Sequence, residues 1–449
     1  MSAVIQTGAE APLAPIASGR GSRAVVFDAR GDVPLERFLA QVRGVAATLP
    51  AGAHAINLCE DRYRFLVAFC AVALRGQTNL LPPSRAPAAV DEAMAQHPDS
   101  YCIGDGELVP APARYLRLPE VLPERIGEVP LIDDDALVAI GYTSGSTGRP
   151  QANPKTWGSF RRSTAQNLAA LSDLWPEGEA HIVATVPPQH MYGMEMSVLL
   201  PLLGPVAVHA ARPFFPEDVA RALAHARAPR ILVTTPVHLR ALVVSACVLP
   251  PLRAIVSATA PLSPDLARQA EARFGCEVRE VFGSTETCVI ARRRTARETA
   301  WTPFPGVRIV PQPDGASVHA PHLALPVVLA DLVEIEPDGR FHLRGRNTDL
   351  LEIAGKRASL GDMTRKLLAI PGVEDGIVVQ LDPPGAGGVR RIAALAVAPT
   401  LDEARILAAL RQTVDPVFLP RPLRCVPDLP RNETGKVTRE SVTALLLKN

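Results

Sequence analysis

The sequence has almost no net charge and no long apolar run, and these two shortages exclude several functions. The 449 residues contain 47 lysines and arginines against 46 aspartates and glutamates, a formal net charge of +1. Such a balanced chain has no overall field to attract nucleic acid or an anionic membrane, so a local site must bind any anion. The apolar stretches at residues 65–74 and 197–211 are shorter than the roughly 18 residues that span a bilayer. We expect both to be buried core elements.

Paired cysteines and a leader segment are also missing. The seven cysteines are an odd number without any C-x-x-C spacing, which argues against both a disulfide framework and a zinc site. Residues 1–23 contain no basic segment followed by an apolar run and a small-residue cleavage site. We therefore expect no signal peptide, no membrane span and a location in the reducing cytoplasm.

What is present is the composition of a folded globular protein. Hydrophobic residues make up 47% and charged residues 21% of the chain, with a mean hydropathy of +0.12, and the length predicts about two or three domains. Short apolar runs flanked by Pro, Ser or Thr predict buried strands at residues 182–186, 231–233 and 254–256. Helical spacing at residues 217–228 and 264–274 lies between such runs. This alternation predicts an α/β fold with layered, parallel sheets.

The pattern changes near the turn signal Asp338-Gly339, and turn-forming residues follow at 345–349. We place a boundary there, with an N-terminal domain at residues 1–345 and a C-terminal domain at 346–449. The last hundred residues combine short apolar runs with an Ala/Leu-rich helix at 402–411, which is typical of one small α+β domain.

One segment has the composition of a phosphate-binding loop. After an apolar, strand-like run it contains these residues: Thr143, Ser144, Gly145, Ser146, Thr147, Gly148, Arg149 and Pro150. Glycines let backbone N–H groups approach anionic oxygens, and hydroxyl groups add further donors. Neither G-x-x-x-x-G-K-[ST] nor G-x-G-x-x-G fits it, which disfavours a P-loop NTPase. Alone, such a loop is more often an ordinary flexible turn than a phosphate site.

The order of these residues resembles the T-S-G-[ST]-T-G-x-P signature of the adenylate-forming superfamily, which includes acyl-CoA synthetases, aryl-acid ligases and peptide-synthetase adenylation domains. Segments similar to its other signatures follow in the expected order: SATAPLS at 257–263, VFGSTE at 281–286 and PRNETGKVTR at 430–439. The resemblance implies a large N-terminal domain that binds ATP and the acid, and a small mobile C-terminal cap.

The resemblance also implies roles for individual residues at the nucleotide. Phe282 would stack on adenine beside Gly283, and Thr285 would contact phosphate. Glu286 would hold Mg²⁺, a hard cation that suits a carboxylate beside phosphate oxygens. Lys436 would be the adenylation lysine, because a cation that bridges the acid and the α-phosphate stabilises the charge that develops in the transition state.

Two further positions match residues that hold the ribose. By the same resemblance, Asp331 accepts hydrogen bonds from both ribose hydroxyls, and Arg346 contacts ribose and phosphate. Charge-assisted bonds of this kind orient the nucleotide as well as bind it.

The acid site is implied by two segments. The segment at residues 188–195 is similar to the superfamily's aromatic-His segment, so His190, Tyr192 and Gly193 would line the acid, although a buried structural histidine is a close alternative for His190. Thr259 and Ala260 border the same pocket, where Ala258 and Thr259 replace glycines. The stretch 149–157 resembles ligases of bacterial aryl-polyene pigment clusters, which load hydroxybenzoate-type acids onto a carrier protein.

Two departures from the superfamily pattern affect the mechanism. Gln151 replaces a common lysine after the loop proline, which leaves Arg149 or Lys155 as cations for the outer phosphates. Thr348 occupies the hinge position, usually Asp or Lys, and Asp349 follows it. Since the cap rotates about that hinge between half-reactions, Thr348 bears on the second half-reaction more than on the first.

These observations predict an acid–thiol ligase that uses ATP and Mg²⁺. It would form an acyl-adenylate and pass the acyl group to a phosphopantetheine thiol; we favour a small aromatic acid and an acyl carrier protein. An aliphatic acyl-CoA ligase has the same motifs and stays open as an alternative. A catalytically degenerate AMP-binding module is the alternative of another class, and the intact Glu286 and Lys436 argue against it.

Overall fold

The structure is a computed structural model that describes residues 12–144, 150–175, 178–313, 315–346, 350–353, 356–381, 391–431, 437 and 439–447. Its first strands are β1 (Leu13–Pro15), β2 (Ala24–Asp28), β3 (Gly31–Pro34), β4 (His54–Asn57), β5 (Thr78–Leu81), β6 (Tyr101–Gly104), β7 (Tyr115–Arg117), β8 (Leu131–Asp133), β9 (Leu137–Ser144), β10 (Pro150–Thr156), β11 (Ala180–Ala184), β12 (Val206–His209), β13 (Arg230–Thr234), β14 (Ala254–Ser257), β15 (Glu277–Ser284) and β16 (Cys288–Arg293).

The helices between these strands are α1 (Leu35–Ala46), α2 (Arg62–Leu74), α3 (Pro87–Gln96), α4 (Trp157–Leu171), α5 (Met191–Met194), α6 (Leu200–Leu203), α7 (Pro216–His225), α8 (Pro236–Val244) and α9 (Pro264–Phe274). A π-helical turn, Glu195–Leu199, joins α5 to α6. None of the helices that the structure describes is long and apolar enough to cross a membrane.

The remaining strands are β17 (Thr302–Pro303), β18 (Arg308–Gln312), β19 (Gly315–His319), β20 (Val327–Leu329), β21 (Asp331–Ile335), β22 (Phe341–Arg346), β23 (Leu350–Ile353), β24 (Lys356–Ser359), β25 (Asp375–Leu381), β26 (Arg391–Val397) and β27 (Leu423–Cys425). The last helices are α10 (Leu360–Leu368), α11 (Glu403–Leu410) and α12 (Arg439–Leu447).

The chain packs as two units. The first consists of Met1–Ala258, Ala270–Ile290 and Pro321–Ala324, and the second of Thr259–Gln269, Ala291–Ala320 and Leu325–Asn449. The predicted boundary near residue 346 stays a prediction.

Two sheets organise the first unit. One has the strand order β16-β15-β14-β13-β11-β12-β2-β3, and the other β10-β9-β5-β4-β6-β7. From β2 to β15 the neighbouring strands of the first sheet are parallel, so their carboxyl ends meet at one edge, where α/β proteins bind ligands. The strands and helices predicted for residues 182–274 are confirmed as β11, β13, β14, α7 and α9, with shifts of a few residues.

The core of the first unit explains the two apolar stretches. Residues 65–73 of α2 are all buried, and a helix that is apolar all round belongs in an interior. Residues 197–211 include the end of the π-helical turn, α6 and β12, and most of their apolar side chains are buried as well. The prediction that both stretches are core elements is confirmed.

In the second unit, α10 and α11 share an apolar cluster with β25, β26 and β27. Val442 and Leu446 of α12 belong to another cluster, together with Val379, Ala393 and Leu395 from the same sheet. Alternate residues of a strand face opposite sides, so both faces of this small sheet are covered. This is the α+β arrangement expected for the end of the chain, and the predicted α/β fold class is confirmed.

Candidate active site

The base of the predicted phosphate loop is a pair of antiparallel strands. Ser144, at the end of β9, is paired with Pro150, at the start of β10, and Thr143 is paired with Gln151. The predicted nucleotide residues Gly145, Ser146, Thr147 and Gly148 lie outside the described residues. The structure therefore positions both ends of the loop.

The strand that leads into this loop, β9, meets one of the other predicted motifs. A Cβ atom on Gly141 of β9 would lie 2.8 Å from Cγ2 of Thr285 and 3.4 Å from Cε of Met191. Real Cβ atoms essentially never come as close as 2.8 Å, so any larger residue at position 141 would force the Thr285 side chain or β9 to shift. Sequence reasoning missed Gly141, which precedes the recognised segment by two residues.

The turn that carries Thr285 and Glu286 closes on itself. The Ser284 N–H donates to Oγ1 of Thr287 over 3.1 Å, and the Thr287 N–H donates to Oγ of Ser284 over 3.2 Å. Gly283 lies just before this turn, and a Cβ there would be 2.0 Å from the Cys288 carbonyl oxygen. The turn is held by its own hydrogen bonds. The side chains of Phe282, Thr285 and Glu286 are partly exposed, so they can reach a ligand.

Three buried side chains from other elements bind the main chain of this turn. Nζ of Lys155, on β10, donates to the Glu286 carbonyl over 2.8 Å, and Nε2 of His322 lies 2.6 Å from the Thr287 carbonyl. The Val289 N–H donates to Oε2 of Glu195 over 2.8 Å. We call Lys155, Glu195 and His322 the anchor residues.

This arrangement corrects one interpretation of the sequence. Lys155 was a possible cation for the outer phosphates, but it is only 4% exposed and is bonded to a main-chain carbonyl. Glu195 and His322 were not predicted for any role. Glu195 had a usable signal, because a lone acid inside an apolar segment is buried only when it is hydrogen-bonded.

Charge and tautomer are consistent with this role of the anchor residues. Burial raises the pKa of Glu195, whereas bonds from Ser163, Asn167 and the Val289 N–H favour its carboxylate. Burial lowers the pKa of His322. Nε2 of His322 faces the Thr287 carbonyl, which can only accept, so Nε2 carries a hydrogen, while Nδ1 faces the side-chain amide of Gln166.

The predicted acid-binding segment forms α5, with His190 at its N-cap. Tyr192 is buried, and its hydroxyl donates to the Val256 carbonyl over 2.9 Å. Burial holds the pKa of this phenol well above its ordinary value. A Cβ on Gly193 would lie 1.9 Å from the Pro187 carbonyl oxygen. Of these three predicted residues, His190 is the one with a partly exposed side chain.

The second unit contains the other predicted contacts. Thr259 has a φ of +82°, a left-handed conformation that is strained for a β-branched residue and that glycine would adopt freely. Ala260 follows it in the same segment. Asp331 and Arg346 are directly opposite each other in the β21–β22 ladder, so the backbone brings the two predicted ribose-binding positions together. Lys436, Thr348 and Asp349 lie outside the described residues.

Glu286 fits the Mg²⁺ role that the resemblance implies. Within the described part of the chain, no hydrogen bond or ion pair engages its carboxylate, and no group of three or more His, Cys, Asp or Glu side chains is arranged for a metal ion. Magnesium in nucleotide sites is held by one or two carboxylates and the substrate phosphates. A single available carboxylate beside a phosphate loop meets that requirement.

The profile of the AMP-binding enzyme family matches residues 44–322. The chain belongs to this family, and with it to the adenylate-forming superfamily; it is an AMP-forming acid–thiol ligase that uses ATP.

Similar proteins agree with this assignment. The chain is 32% identical over 302 residues to the 4-coumarate–CoA ligase of Rhodobacter capsulatus, which covers 66% of this chain and 74% of that one. It is 26% identical over 275 residues to the 3-hydroxybenzoate–CoA/4-hydroxybenzoate–CoA ligase of Thauera aromatica, 51% of this chain and 52% of the other. ATP-bound MatB from Rhodopseudomonas palustris has the same fold, with a TM-score of 0.78, 21% identity and coverage of 95% and 96%.

Proposed function

We propose that this ligase activates a small aromatic acid of the hydroxybenzoate type as its acyl-adenylate and transfers it to a phosphopantetheine thiol. His190 of the predicted acyl segment is partly exposed, so its side chain is available to contact the acid. The relatives named for 4-coumarate and for hydroxybenzoates act on acids of this class.

The observation that carries the adenylation step is the close approach of Gly141 and Thr285, at 2.8 Å for a Cβ on Gly141. It holds the Thr285 hydroxyl and the Glu286 carboxylate next to the strand that leads into the phosphate loop. Thr285 would bind phosphate oxygens there, and Glu286 would hold Mg²⁺, which neutralises phosphate charge. Lys436 would bridge the attacking carboxylate and the α-phosphate.

For the acceptor we propose an acyl carrier protein, on the resemblance of residues 149–157 to carrier-loading ligases. CoA is the second candidate, because it is the acceptor in the names of both relatives. In either case the thiol sulfur attacks the acyl carbon and AMP leaves with the electron pair of the mixed anhydride. We propose that a rotation of the C-terminal domain (346–449) about Thr348 and Asp349 separates this step from adenylation.

The test is pyrophosphate release with ATP and Mg²⁺ over hydroxybenzoates, cinnamates and C4 to C12 fatty acids, with hydroxylamine to trap acyl-AMP. We expect release with aromatic acids, and loss of release without loss of ATP binding in Lys436→Ala. The preferred acid is then offered to CoA and to a phosphopantetheinylated carrier protein, and thioester is measured by mass spectrometry. Release with fatty acids alone would contradict the aromatic proposal.

A further inference from the structure

The anchor residues contact main-chain groups of residues 286, 287 and 289, at the end of the catalytic turn and the start of β16. Lys155 binds the carbonyl of Glu286, His322 binds the carbonyl of Thr287, and Glu195 accepts the N–H of Val289, all over 2.6–2.8 Å. The anchors come from β10, from the segment at 321–324 and from the π-helical turn. Three elements far apart in sequence thus fix one short stretch of backbone.

Lys155 is the most unusual of the three anchors. A neutral donor could satisfy a buried carbonyl, and a buried ammonium costs free energy unless it is compensated. A charged donor makes a bond roughly twice as strong as a neutral one. The ammonium therefore restrains the Glu286 carbonyl more firmly than an amide or hydroxyl would.

The compensating charge comes from Glu195. The Lys155 ammonium lies close enough to favour the Glu195 carboxylate, against the burial that raises the pKa of that group. The Cys288 thiol is also nearby, but burial raises its pKa to about 12, so it stays neutral. The opposite charges of Lys155 and Glu195 favour each other, and each residue also binds main-chain groups at the turn.

We infer that Lys155 is a positioning residue for adenylation: with Glu195 and His322 it sets the direction in which Thr285 and Glu286 project toward the metal-bound triphosphate. The inference rests on the roles proposed for Thr285 and Glu286. The Lys155 ammonium is bonded to the main-chain carbonyl of Glu286, so Lys155 acts through the side chains of the turn and does not touch the substrate.

The test compares wild-type protein with Lys155→Met, which keeps an unbranched side chain of similar length and removes the hydrogen-bond donor and the charge. A misplacement of about 1 Å costs up to about 100-fold in rate, so we expect turnover in the pyrophosphate assay to fall roughly 10- to 100-fold. By calorimetry, affinity for ATP with Mg²⁺ should fall about tenfold, and affinity for AMP without metal should change less than about threefold.

Tyr101→Phe is the matched control, because it removes a buried hydrogen bond to Gln77 that is 2.7 Å long and far from the turn in sequence. It should lower the unfolding midpoint without changing the ratio of the two affinities. If Lys155→Met does not fold, His322→Met removes the neighbouring donor and is measured in the same way.

Two results would overturn the inference: turnover and both affinities within about threefold of wild type, or equal losses for AMP and for ATP with Mg²⁺. A wild-type protein that turns over none of the acids would contradict the proposed acid instead. The affinity measurements need no acid, so they test Lys155 separately.

Discussion

Two turns follow neighbouring strands of the large sheet, and they are built in opposite ways. The turn after β15, at residues 284–289, is held by reciprocal hydrogen bonds and by the three anchor residues. The segment after β14, at residues 258–263, contains Thr259 in a left-handed conformation. We call these the anchored turn and the strained turn.

The difference shows two ways of fixing backbone at a site. Buried donors and acceptors stabilise the anchored turn, so its geometry is preorganised before a ligand binds. The strained turn keeps a conformation that costs on the order of 1–3 kcal/mol, which neighbouring structure must offset. Disturbing the first should reduce catalysis, whereas relaxing the second should mainly change stability.

The largest effect is expected for Gly283→Ala, which breaks the anchored turn. The added Cβ would lie 2.0 Å from the Cys288 carbonyl oxygen, so the backbone beside Thr285 must move. We expect adenylation to fall by about 100-fold, measured by pyrophosphate release. Gly275→Ala is the control: its left-handed backbone also disfavours alanine, but no atom lies within 4 Å of its Cβ position. Equal activity of both variants would contradict the importance of the turn.

An intermediate effect is expected when the pH is lowered. Burial and the nearby Lys155 and Arg162 lower the pKa of His322 below its ordinary 6.5. As the pH falls, the His322 imidazole therefore takes up its proton in the unfolded chain before it does so in the folded protein. The free energy of unfolding falls below about pH 6.5, by at most about 1.4 kcal/mol per pH unit. The strained turn has no titratable side chain at residues 258–263.

Hydrogen exchange, corrected for its intrinsic pH dependence, distinguishes the two turns. Peptides that cover residues 284–290 should lose protection between pH 7.5 and 5, and peptides that cover 258–263 should not. His322→Gln keeps a side-chain N–H and cannot titrate, so it should reduce the difference. A parallel loss of protection in both turns would show that the effect of low pH is not specific to the anchored turn.

The smallest effect is expected for Thr259→Gly, which relaxes the strained turn. Glycine removes the left-handed strain. It also raises the conformational entropy of the unfolded chain, which opposes folding by about 0.4–1 kcal/mol. We expect a net gain of about 1 kcal/mol in the free energy of unfolding, measured with urea. Thr259→Ala keeps a Cβ at the same φ and should gain less. A loss of stability in Thr259→Gly would show that the threonine side chain contributes more than the strain costs.

The comparison also shows how far sequence reasoning reached. Thr285 and Glu286 belong to a short, contiguous signature segment. The order of such segments along the chain makes them recognisable from sequence. The anchors Glu195 and His322 are isolated polar residues in unrelated segments, and nothing local marks them as partners of the turn. The sequence analysis considered Lys155 as a cation for the outer phosphates. Sequence shows that the residue is charged but not the direction in which its side chain points.

The sequence by itself determined the alternation of strands and helices, the α/β class and the adenylate-forming chemistry, since periodicity and motif order are local properties of the chain. Only the tertiary structure decided which polar side chains support the catalytic turn, that the Tyr192 hydroxyl is bonded to Val256, and that Gly141 admits Thr285. Those contacts depend on burial and on the approach of segments 35 or more residues apart in sequence, and buried polar groups are tolerated only where such partners meet.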